Sequence, residues 1–451
     1  MRLRKTITTI VATAILLAGW QLFAVIANQP ELIPSLPRLV RTLCEWLVSG
    51  SFYQSVGATI LRGILGMSIS FVCAIGMAGL FARFEWVYEL FRPLLAIMRS
   101  IPVISFILLA LIFLNPESIP LMIAFLTMFP LLTENLTRGI LDLRPGLSIM
   151  ARQFHIKCSN VLFQIIYPQL KPFLYSGLAS AAGFGWRAII MGEVLSQCAF
   201  GIGSEMKRAQ NFIAVPELLA WTIVAVFSFF FDKGISKVAD ITPKISFANE
   251  DQTTPTPTLS VLDTKDISYQ YGIQHFSHSF QKGIIYGISA PSGKGKTTLL
   301  NLIGGILLPT EGEIHPTRHF GIATIFQQPQ LLPHLTAEEN IILPLSSFLT
   351  EEKARRIAQK HLQEMEMEPF GNRYPKELSY GQQQRIAIAR ALAYPSPLLL
   401  MDEPFKGLDE ALSHRIIERI REKQMKEERI ILFTSHNPDE IRLLADEVIY
   451  L

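Results

Sequence analysis

Three neighbouring residues, Gly295, Lys296 and Thr297, have the types and spacing of a loop that binds phosphate. An apolar stretch at 284–288 precedes them, and an apolar-periodic segment typical of a helix follows. Glycine lets backbone N–H groups approach phosphate oxygens closely. Lys296 would reach the β- and γ-phosphates, and the hydroxyl of Thr297 would bind Mg²⁺. The full pattern asks for glycine where this chain has Ala290, whose methyl group resists positive φ.

Two adjacent acids, Asp402 and Glu403, follow four apolar residues at 398–401. Such a run predicts a buried strand that presents both carboxylates at its end. Phosphoryl transfer needs one carboxylate for Mg²⁺ and another group that orients or deprotonates the attacking water. Asp402 suits the first role and Glu403 the second. Alone, the pair is equally typical of a solvated strand end, but together with Lys296 it indicates a nucleotide-hydrolysing site.

The composition indicates a chain that lies partly in a membrane. The 451 residues allow about three domains. Hydrophobic residues make up 49% of the chain and charged residues 18%, with a mean hydropathy of +0.31. The net charge of +3 is too small to argue for a nucleic-acid partner. Four cysteines lie in the first half without metal-ligand spacing or a pairing pattern, so we predict no disulfide framework.

Six apolar stretches predict six membrane-spanning helices in the first half. They cover 7–27, 57–82, 94–114, 118–137, 173–198 and 218–236. The first has the basic start of a signal peptide or of a retained helix, and its length favours the retained helix. Glycines recur in the second and fifth stretches. They indicate either close helix packing or bends, and the pattern does not decide between the two.

Basic residues near the ends of the stretches predict the orientation. Arg2, Arg4 and Lys5 place the N-terminus in the cytoplasm, and six spans return the C-terminal half to the same side. We therefore predict a multi-pass protein of the cytoplasmic (inner) membrane with its nucleotide site in the cytoplasm. The segment 138–172 is basic and amphipathic. It is either a loop at the membrane surface or an element that docks onto the second half.

A polar stretch rich in proline and threonine predicts a linker between two parts of the chain. We place a membrane domain at 1–240, the linker at 241–260 and a nucleotide-binding domain at 261–451. The fold class is multi-domain, an all-α transmembrane domain of six helices followed by an α/β P-loop NTPase domain with a largely parallel sheet. Tyr271 or Tyr269 could stack on a base, although a lone tyrosine is equally typical of a sheet.

The second half resembles the ATPase subunit of ABC transporters through motifs in the family's order. Residues 326–327 resemble the Q-loop, 378–382 the signature with Tyr380 where glycine is commonest, 398–403 Walker B, 407–409 the D-loop, and 434–436 the switch histidine. The stretch that resembles Walker A consists of Ala290, Pro291, Ser292, Gly293, Lys294, Gly295, Lys296, Thr297 and Thr298.

This resemblance implies two ATPase domains that enclose two ATP molecules head to tail, and hence a homodimer. It implies catalytic roles for Glu403, His436 and Gln327, and a Mg²⁺ site formed by Thr297, Gln327 and Asp402. The opposite domain would contribute Ser379, Gly381 and Gln382 to each ATP, with Asp409 in the D-loop. ATP and Mg²⁺ are the implied cofactors.

The first half is similar to permeases of binding-protein-dependent importers, near the nitrate, sulfonate and taurine branch. The similarity lies in 32–37, 55–79, 93–102 and 145–200. At the permeases' docking motif, Ile149 replaces the usual glutamate and His155 the usual glycine. The resemblance implies ATP-driven import of a small solute, such as a sulfonate, nitrate or a vitamin precursor, with a separate solute-binding protein. An exporter half and a non-transporting regulatory ATPase are the alternatives.

Overall fold

A computed structural model describes residues 2–232, 244–251, 259–270, 272–291, 293–316 and 321–451. Its contacts divide the chain into two compact units. The first unit comprises Met1–Leu143 and Gln169–Ile241, and the second comprises Arg144–Pro168 and Thr242–Leu451. The segment 144–168 therefore packs with the C-terminal half, although the chain around it belongs to the membrane-type unit. The predicted linker lies partly outside the described residues, and the domain limits stay a prediction.

The first unit is helical. Its elements are α1 (Arg2–Ala27), α2 (Leu36–Trp46), α3 (Gly50–Arg83), α4 (Glu85–Ser100), α5 (Val103–Phe113), α6 (Ile119–Leu141), α9 (Tyr167–Ser196), α10 (Ile202–Asn211) and α11 (Val215–Asp232). The docking segment contributes α7 (Pro145–Gln153), α8 (Cys158–Asn160) and a π-helical turn (Val161–Ile166) between α6 and α9.

The prediction of six spans is matched in part. Among the described residues three helices are long and apolar enough to cross a membrane, at 50–83, 119–141 and 158–196. A fourth is counted when the pair α4 and α5 is taken as one span. Two shorter apolar helices, Val11–Ala27 and Val215–Ser228, coincide with the first and last predicted stretches. The number six is thus not confirmed, because the described residues give three spans, or four with the bent pair.

The third predicted span is broken. Helices α4 and α5 meet at an angle of 93° around Ile101 and Pro102. Ile101 adopts an extended conformation (φ −70°, ψ 129°), as expected for a residue that precedes proline. The hydropathy of 94–114 gave no sign of this bend, because apolar composition does not report backbone direction.

The structure decides the role of several glycines in the spans. A Cβ at Gly66 would lie 2.6 Å from the Cβ of Ala124, so α3 and α6 pack with their backbones close together. A Cβ at Gly185 would collide with Met128, and one at Gly177 would approach Asn135 to 3.1 Å. These three glycines therefore serve close packing rather than bending.

The second unit has a five-stranded parallel sheet in the order β5-β6-β7-β3-β8 and a three-stranded antiparallel sheet in the order β2-β1-β4. The strands are β1 (Val261–Tyr269), β2 (Ile273–Gln281), β3 (Ile285–Ser289), β4 (Glu311–His315), β5 (Ala323–Ile325), β6 (Leu398–Asp402), β7 (Ile430–Thr434) and β8 (Glu447–Tyr450). The helices are α12 (Lys296–Ile303), α13 (Ala337–Leu345), α14 (Glu351–Glu364), α15 (Tyr380–Ala393), α16 (Glu410–Glu427) and α17 (Pro438–Leu444). An α/β domain of this kind was predicted.

The central strands of the parallel sheet are buried on both faces. Along β6, Leu399 and Met401 join one hydrophobic cluster, and Leu398 and Leu400 join another. Successive side chains of a strand point to opposite faces. Apolar residues therefore run continuously through the strand, as is usual for a parallel sheet covered on both sides. This packing holds the carboxyl end of β6, with Asp402, in a fixed position.

The docking segment 144–168 is part of the core of the second unit. Leu147, Met150, Phe154 and Ile165 are each almost completely buried in its larger cluster. The Gln153 side chain donates to the carbonyl of Gly304 at 2.7 Å. The prediction that this segment docks onto the second half is confirmed, and the alternative of a free surface loop is wrong.

Asn160 joins the docking segment to the residues that lead into the nucleotide-binding half. Its Nδ2 donates to the carbonyl of Ser246 and to the hydroxyl of Ser346, each at 2.8 Å, and its Oδ1 accepts from the Ser246 N–H at 2.8 Å. Asp251 accepts from the N–H and hydroxyl of Thr350 at 3.0 Å. The described part of the predicted linker, 244–251, is therefore held on the domain surface rather than spanning free space.

Phe154 is the aromatic anchor of this docking. It is fully buried, its ring meets Tyr394 edge-to-face at 5.1 Å, and the guanidinium of Arg390 lies 5.5 Å from its centroid. We expect Phe154→Ala to weaken docking by about 3–5 kcal/mol, the usual loss for a buried phenylalanine. Amide hydrogen exchange across 145–166, measured by mass spectrometry on the full chain, should accelerate by about a hundredfold or more.

The neighbouring exposed Arg152 gives the control for this measurement. Arg152→Ala should leave exchange in the segment as it is in the native chain. Unchanged exchange in Phe154→Ala would show that the segment is held by its hydrogen bonds alone.

His361 on α14 gives the second unit a pH-dependent stability. Burial lowers the pKa of His361 to about 3, and the charges of Lys423, Lys360 and Arg429 act in the same direction. The Lys423 ammonium donates to its Nε2 at 3.3 Å, which requires the neutral ring. Below the ordinary pKa of 6.5 the unfolded chain binds a proton that the folded chain does not. Stability should therefore fall as the pH drops from 6.5 towards 3, by about 1.4 kcal/mol per unit.

We expect the melting temperature of the second unit to fall between pH 7 and pH 5, and His361→Gln to reduce that fall. Calorimetry of the full chain in detergent measures both. His275→Gln, at an exposed histidine of β2, is the matched control and should keep the native pH dependence. Equal pH dependence in His361→Gln and the native chain would contradict the assignment.

Candidate functional site

The phosphate-binding loop lies between β3 and α12, as predicted. Gly293 (φ 80°) and Gly295 (φ 91°) adopt left-handed conformations that favour glycine. A Cβ at Gly295 would also lie 2.7 Å from the carbonyl oxygen of Gly272. Ala290 has no positive φ, so its methyl group causes no backbone strain. The loop can therefore adopt its conformation with alanine at position 290, where the family pattern has glycine.

Lys296 turns back over this loop. Its ammonium donates to the carbonyl of Ala290 at 2.6 Å and lies 3.4 Å from that of Pro291. The N–H of Lys294 also donates to the carbonyl of Pro291, at 3.3 Å. Thr298 lies half-buried in the first turn of α12. Ser292 and Tyr271 lie outside the described residues, while Tyr269 packs against the hydrophobic cluster around β1.

Thr297 and Asp402 meet at the carboxyl end of the sheet. The Thr297 hydroxyl donates to the two carboxylate oxygens of Asp402 at 2.9 and 3.2 Å. Thr434, beside Asp402 in the register of β6 and β7, donates to the same carboxylate at 2.8 Å. Burial raises the pKa of Asp402, and the hydrogen bonds from Thr434 and Thr297 oppose that rise. The pair presents two oxygen ligands of the kind that Mg²⁺ prefers.

Glu403 follows Asp402 with its backbone in the left-handed region (φ 47°). Its N–H donates to Thr434 Oγ1 at 3.1 Å. The sparsely populated conformation turns the carboxylate away from the strand and towards Lys406 (3.1 Å) and His436 (3.1 Å). The structure thus brings the predicted acid and the predicted switch histidine into contact.

Charges and hydrogen bonds around Glu403 keep it ionised. Burial alone would raise its pKa, but hydrogen bonds from Lys406 and Gln327, with the charges of Lys406 and His436, lower the pKa below its usual value. The side chain of Gln327 therefore reaches the same carboxylate. The three residues predicted to be catalytic, Glu403, His436 and Gln327, form one cluster.

The signature residues start helix α15. The Ser379 hydroxyl accepts from the Gln382 N–H at 3.3 Å, and the Gln382 side chain accepts from the Ser379 N–H at 2.9 Å. Gly381 lies against the carbonyl of Gly407, which a Cβ would approach to 2.6 Å. Within the described chain the side-chain hydrogen bonds of Ser379 and Gln382 stay in this capping box, so the structure does not join these residues to the phosphate loop.

Tyr380 occupies the signature position where glycine is commonest, and its side chain has a defined contact. Its hydroxyl donates to the carbonyl of Gln327 at 2.7 Å. A Cβ at Gly407 would lie 2.8 Å from its ring, so the ring requires glycine in the D-loop. Asp409 lies two residues further on and caps α16 by accepting from the Leu412 N–H at 2.9 Å. One tyrosine therefore joins the signature to the Q-loop and the D-loop.

Sequence reasoning missed the roles of Lys406 and Thr434, and it missed the hydrogen bond from the Tyr380 hydroxyl to the Gln327 carbonyl. Thr434 stood in the quoted motif 434–436, but only the histidine received a role. Lys406 lies three residues after Glu403, within one turn of it, and its positive charge was a usable signal. Nothing local indicated that Tyr380 would reach a residue 53 positions earlier in the chain.

Comparisons with known proteins bear on both units. The family model "ABC transporter" matches residues 273–406, and "Binding-protein-dependent transport system inner membrane component" matches 56–232. The thiamine import ATP-binding protein ThiQ of Yersinia pseudotuberculosis is 34% identical over 205 residues, which cover 42% of this chain and 86% of that protein. This chain belongs to the ABC transporter family. It carries an ATP-binding domain, and the second match and its apolar helices identify it as a membrane protein.

Other relatives are covered over a smaller share of their length. The Fe(3+) ions import ATP-binding protein FbpC of Rhizobium etli is 35% identical over 189 residues, 40% of this chain and 54% of that protein. The chain thus spans about half the length of such curated relatives. Among solved structures, the dimeric post-hydrolysis state of the ATP-binding cassette MJ0796 with ADP and phosphate has 32% identity and a TM-score of 0.40, covering 42% of this chain and 94% of that one.

Proposed function

We propose that this ABC transporter imports a small solute across the cytoplasmic membrane and uses ATP hydrolysis to drive the import. The observation that carries the proposal is the presence of an import-type membrane component and an ABC ATP-binding domain in one chain. The docking segment 144–168, which continues into α9 and is buried in the ATP-binding unit, supports it. This segment is packed in the ATP-binding unit and is covalently continuous with α9.

ATP would bind with its phosphates on the loop 290–298. Backbone N–H groups and the Lys296 ammonium would hold the β- and γ-phosphates, and the N-terminus of α12 favours the negative charge. The Thr297 and Asp402 oxygens, already 2.9 Å apart, fit a Mg²⁺ ion together with Gln327. When bound, Mg²⁺ would neutralise charge on the phosphates.

Glu403 would orient and deprotonate the attacking water, because its carboxylate is ionised and lies within the cluster that would hold the water. Gln327 would position the water and His436 would contact the γ-phosphate. Lys406, ion-paired to Glu403, would hold the carboxylate in place until nucleotide binds. These roles use the cluster in which the four side chains already lie.

A second copy would complete each ATP site. Ser379, Gly381 and Gln382 form a helix start without a phosphate partner in their own loop, and in a head-to-tail homodimer they would face the γ-phosphate bound by the other chain. Asp409 would lie at the same interface. The membrane component type also implies a separate solute-binding protein. Native mass spectrometry from the chain's own membrane should find two copies with such a protein, and a different ATPase-bearing chain would contradict the homodimer.

The direction of transport distinguishes this proposal from an exporter. Cells that express the native chain or Glu403→Gln would be grown in the same defined medium, and the medium would be profiled by mass spectrometry. We expect a solute that the native chain removes from the medium and the variant leaves there. A solute that accumulates outside only with the native chain would establish an exporter. A sulfonate, nitrate, a taurine-like anion or a vitamin precursor remain the proposed solutes.

A further inference from the structure

An arginine lies deep inside α9, which belongs to one of the three helical stretches long and apolar enough to cross a membrane. Arg187 stands twenty residues after the first residue of α9 and nine before the last. At 1.5 Å per residue it is therefore about 14 Å from the Ser196 end of the helix. The hydrocarbon core of a bilayer is about 30 Å thick, so this places Arg187 near its middle if Ser196 is at the outer surface. A side chain at that depth is too short to reach water along the lipid.

Other charges deep in the described spans are paired, whereas Arg187 is not. Arg62 binds the buried Glu193 at 2.7 Å and also reaches Glu117 at 2.6 Å. Glu134 is paired with Arg99 and with Arg138. The Arg187 guanidinium has no hydrogen bond or ion pair to any described residue. Glu193 and Glu134 are thus already neutralised by other arginines, and the charge of Arg187 has no partner among the described residues of its unit.

The side of α9 that carries Arg187 has small and hydroxyl-bearing residues next to the cation. Arg187 is exposed, and one and two turns earlier on the same side lie Gly183, Ser180, Ala179 and Ser176, each exposed or half-exposed. Phe184 and Met191, which lie one turn before and one turn after Arg187, are exposed on this side as well. Small and hydroxyl-bearing residues beside a cation are typical of a wall that faces water or solute.

We propose that Arg187 binds the anionic group of the transported solute inside the membrane, so that the solute is a small oxyanion such as a sulfonate, carboxylate or phosphate ester. The proposal rests on the proposed transport function and names its substrate class. An unpaired guanidinium at this depth of the bilayer is unfavourable in low dielectric, and an oxyanion neutralises it with two parallel hydrogen bonds. Without an anion, the charge of Arg187 is unfavourable inside the membrane. Binding of an oxyanion relieves that cost, and this relief contributes to the affinity for the anion.

The first test is site-resolved and needs neither ATP nor a binding protein. The full chain in lipid nanodiscs is treated with phenylglyoxal, which modifies arginine, and each arginine is followed by mass spectrometry. We expect Arg187 to be modified, and methanesulfonate at ten times its dissociation constant to slow that modification about tenfold, by simple mass action. Mannitol at the same osmolarity should give no protection. No modification of Arg187, or modification that methanesulfonate, acetate and methyl phosphate all leave unchanged, would overturn the proposal.

The second test compares variants in thermal unfolding with ADP present to occupy the nucleotide loop. Methanesulfonate should raise the melting temperature of the native chain, and Arg187→Met should weaken the anion's affinity about tenfold or more. Arg187→Lys should keep part of the effect. Arg92→Met removes an exposed arginine of α4 and is the matched control, which should respond like the native chain. An equal response in Arg187→Met would overturn the proposal.

These outcomes are separable from failure of the proposed function. ATP hydrolysis that depends on Glu403 is measured on the same preparation. If ATP is hydrolysed but anions do not protect Arg187, the anion site is rejected and the proposed transport function still stands. If anions protect Arg187 but no hydrolysis depends on Glu403, ATP-driven transport is rejected and the anion site in the membrane unit still stands.

Discussion

Glu403→Gln should abolish ATP turnover while ATP still binds. The substitution keeps the size of the side chain and its hydrogen bonding to its neighbours, but removes the ionised carboxylate that would accept the proton of the attacking water. Loss of a positioned general base typically costs about a hundredfold to ten-thousandfold in rate. Phosphate release by the purified full chain, with ATP affinity measured separately by a fluorescent analogue, checks both halves of this expectation.

The control for this prediction is an acid outside the cluster. Glu410 lies exposed at the first position of α16, so Glu410→Gln should hydrolyse ATP at the native rate. Steady hydrolysis in Glu403→Gln would show that Glu403 is not the base. Asp402 or His436 would then be the next candidates for that role. The variant should also accumulate as the ATP-bound dimer, because binding persists without turnover, and size-exclusion chromatography with ATP would detect it.

Lys296→Ala should lose nucleotide binding itself. Lys296 is mostly buried, and without nucleotide its ammonium donates to the Ala290 carbonyl across the loop, in the space that phosphate oxygens would share. Charge-assisted hydrogen bonds are worth about 1.5–3 kcal/mol each, so removal of the ammonium should weaken ATP affinity by about a hundredfold. Equilibrium binding of a fluorescent ATP analogue to the full chain measures this change.

A surface lysine of the same unit is the comparison. Lys282 forms an exposed ion pair with Glu428 at 2.8 Å, so Lys282→Ala should bind ATP as the native chain does. Unchanged affinity in Lys296→Ala would contradict the phosphate assignment of the loop 290–298. A melting temperature close to the native value in both variants would exclude unfolding as the cause of a lost signal.

Patterns within a few residues predicted the parts of this protein that local geometry encodes. The loop around Lys296 follows from glycines at positive φ between a strand and a helix. Asp402 and Glu403 follow from their place at the end of an apolar strand, because a buried parallel strand delivers its last residues to the edge of the sheet. The amphipathic, basic segment 138–172 also stood out, although its pattern left a membrane-surface loop and a docking element as alternatives until the structure decided. The apolar stretches likewise indicated the positions of the membrane-type helices.

Only the tertiary structure decided which of these parts meet. Thr434 reaches Asp402 across two strands, Tyr380 reaches Gln327 over 53 positions, and Asn160 reaches Ser346 over 186. The right-angle break between α4 and α5 and the packing role of Gly66 were also settled in three dimensions. Short-range patterns fix backbone conformation and burial, since they depend on neighbours along the chain. Partners and the directions of elements depend on packing between distant segments, which no local pattern carries.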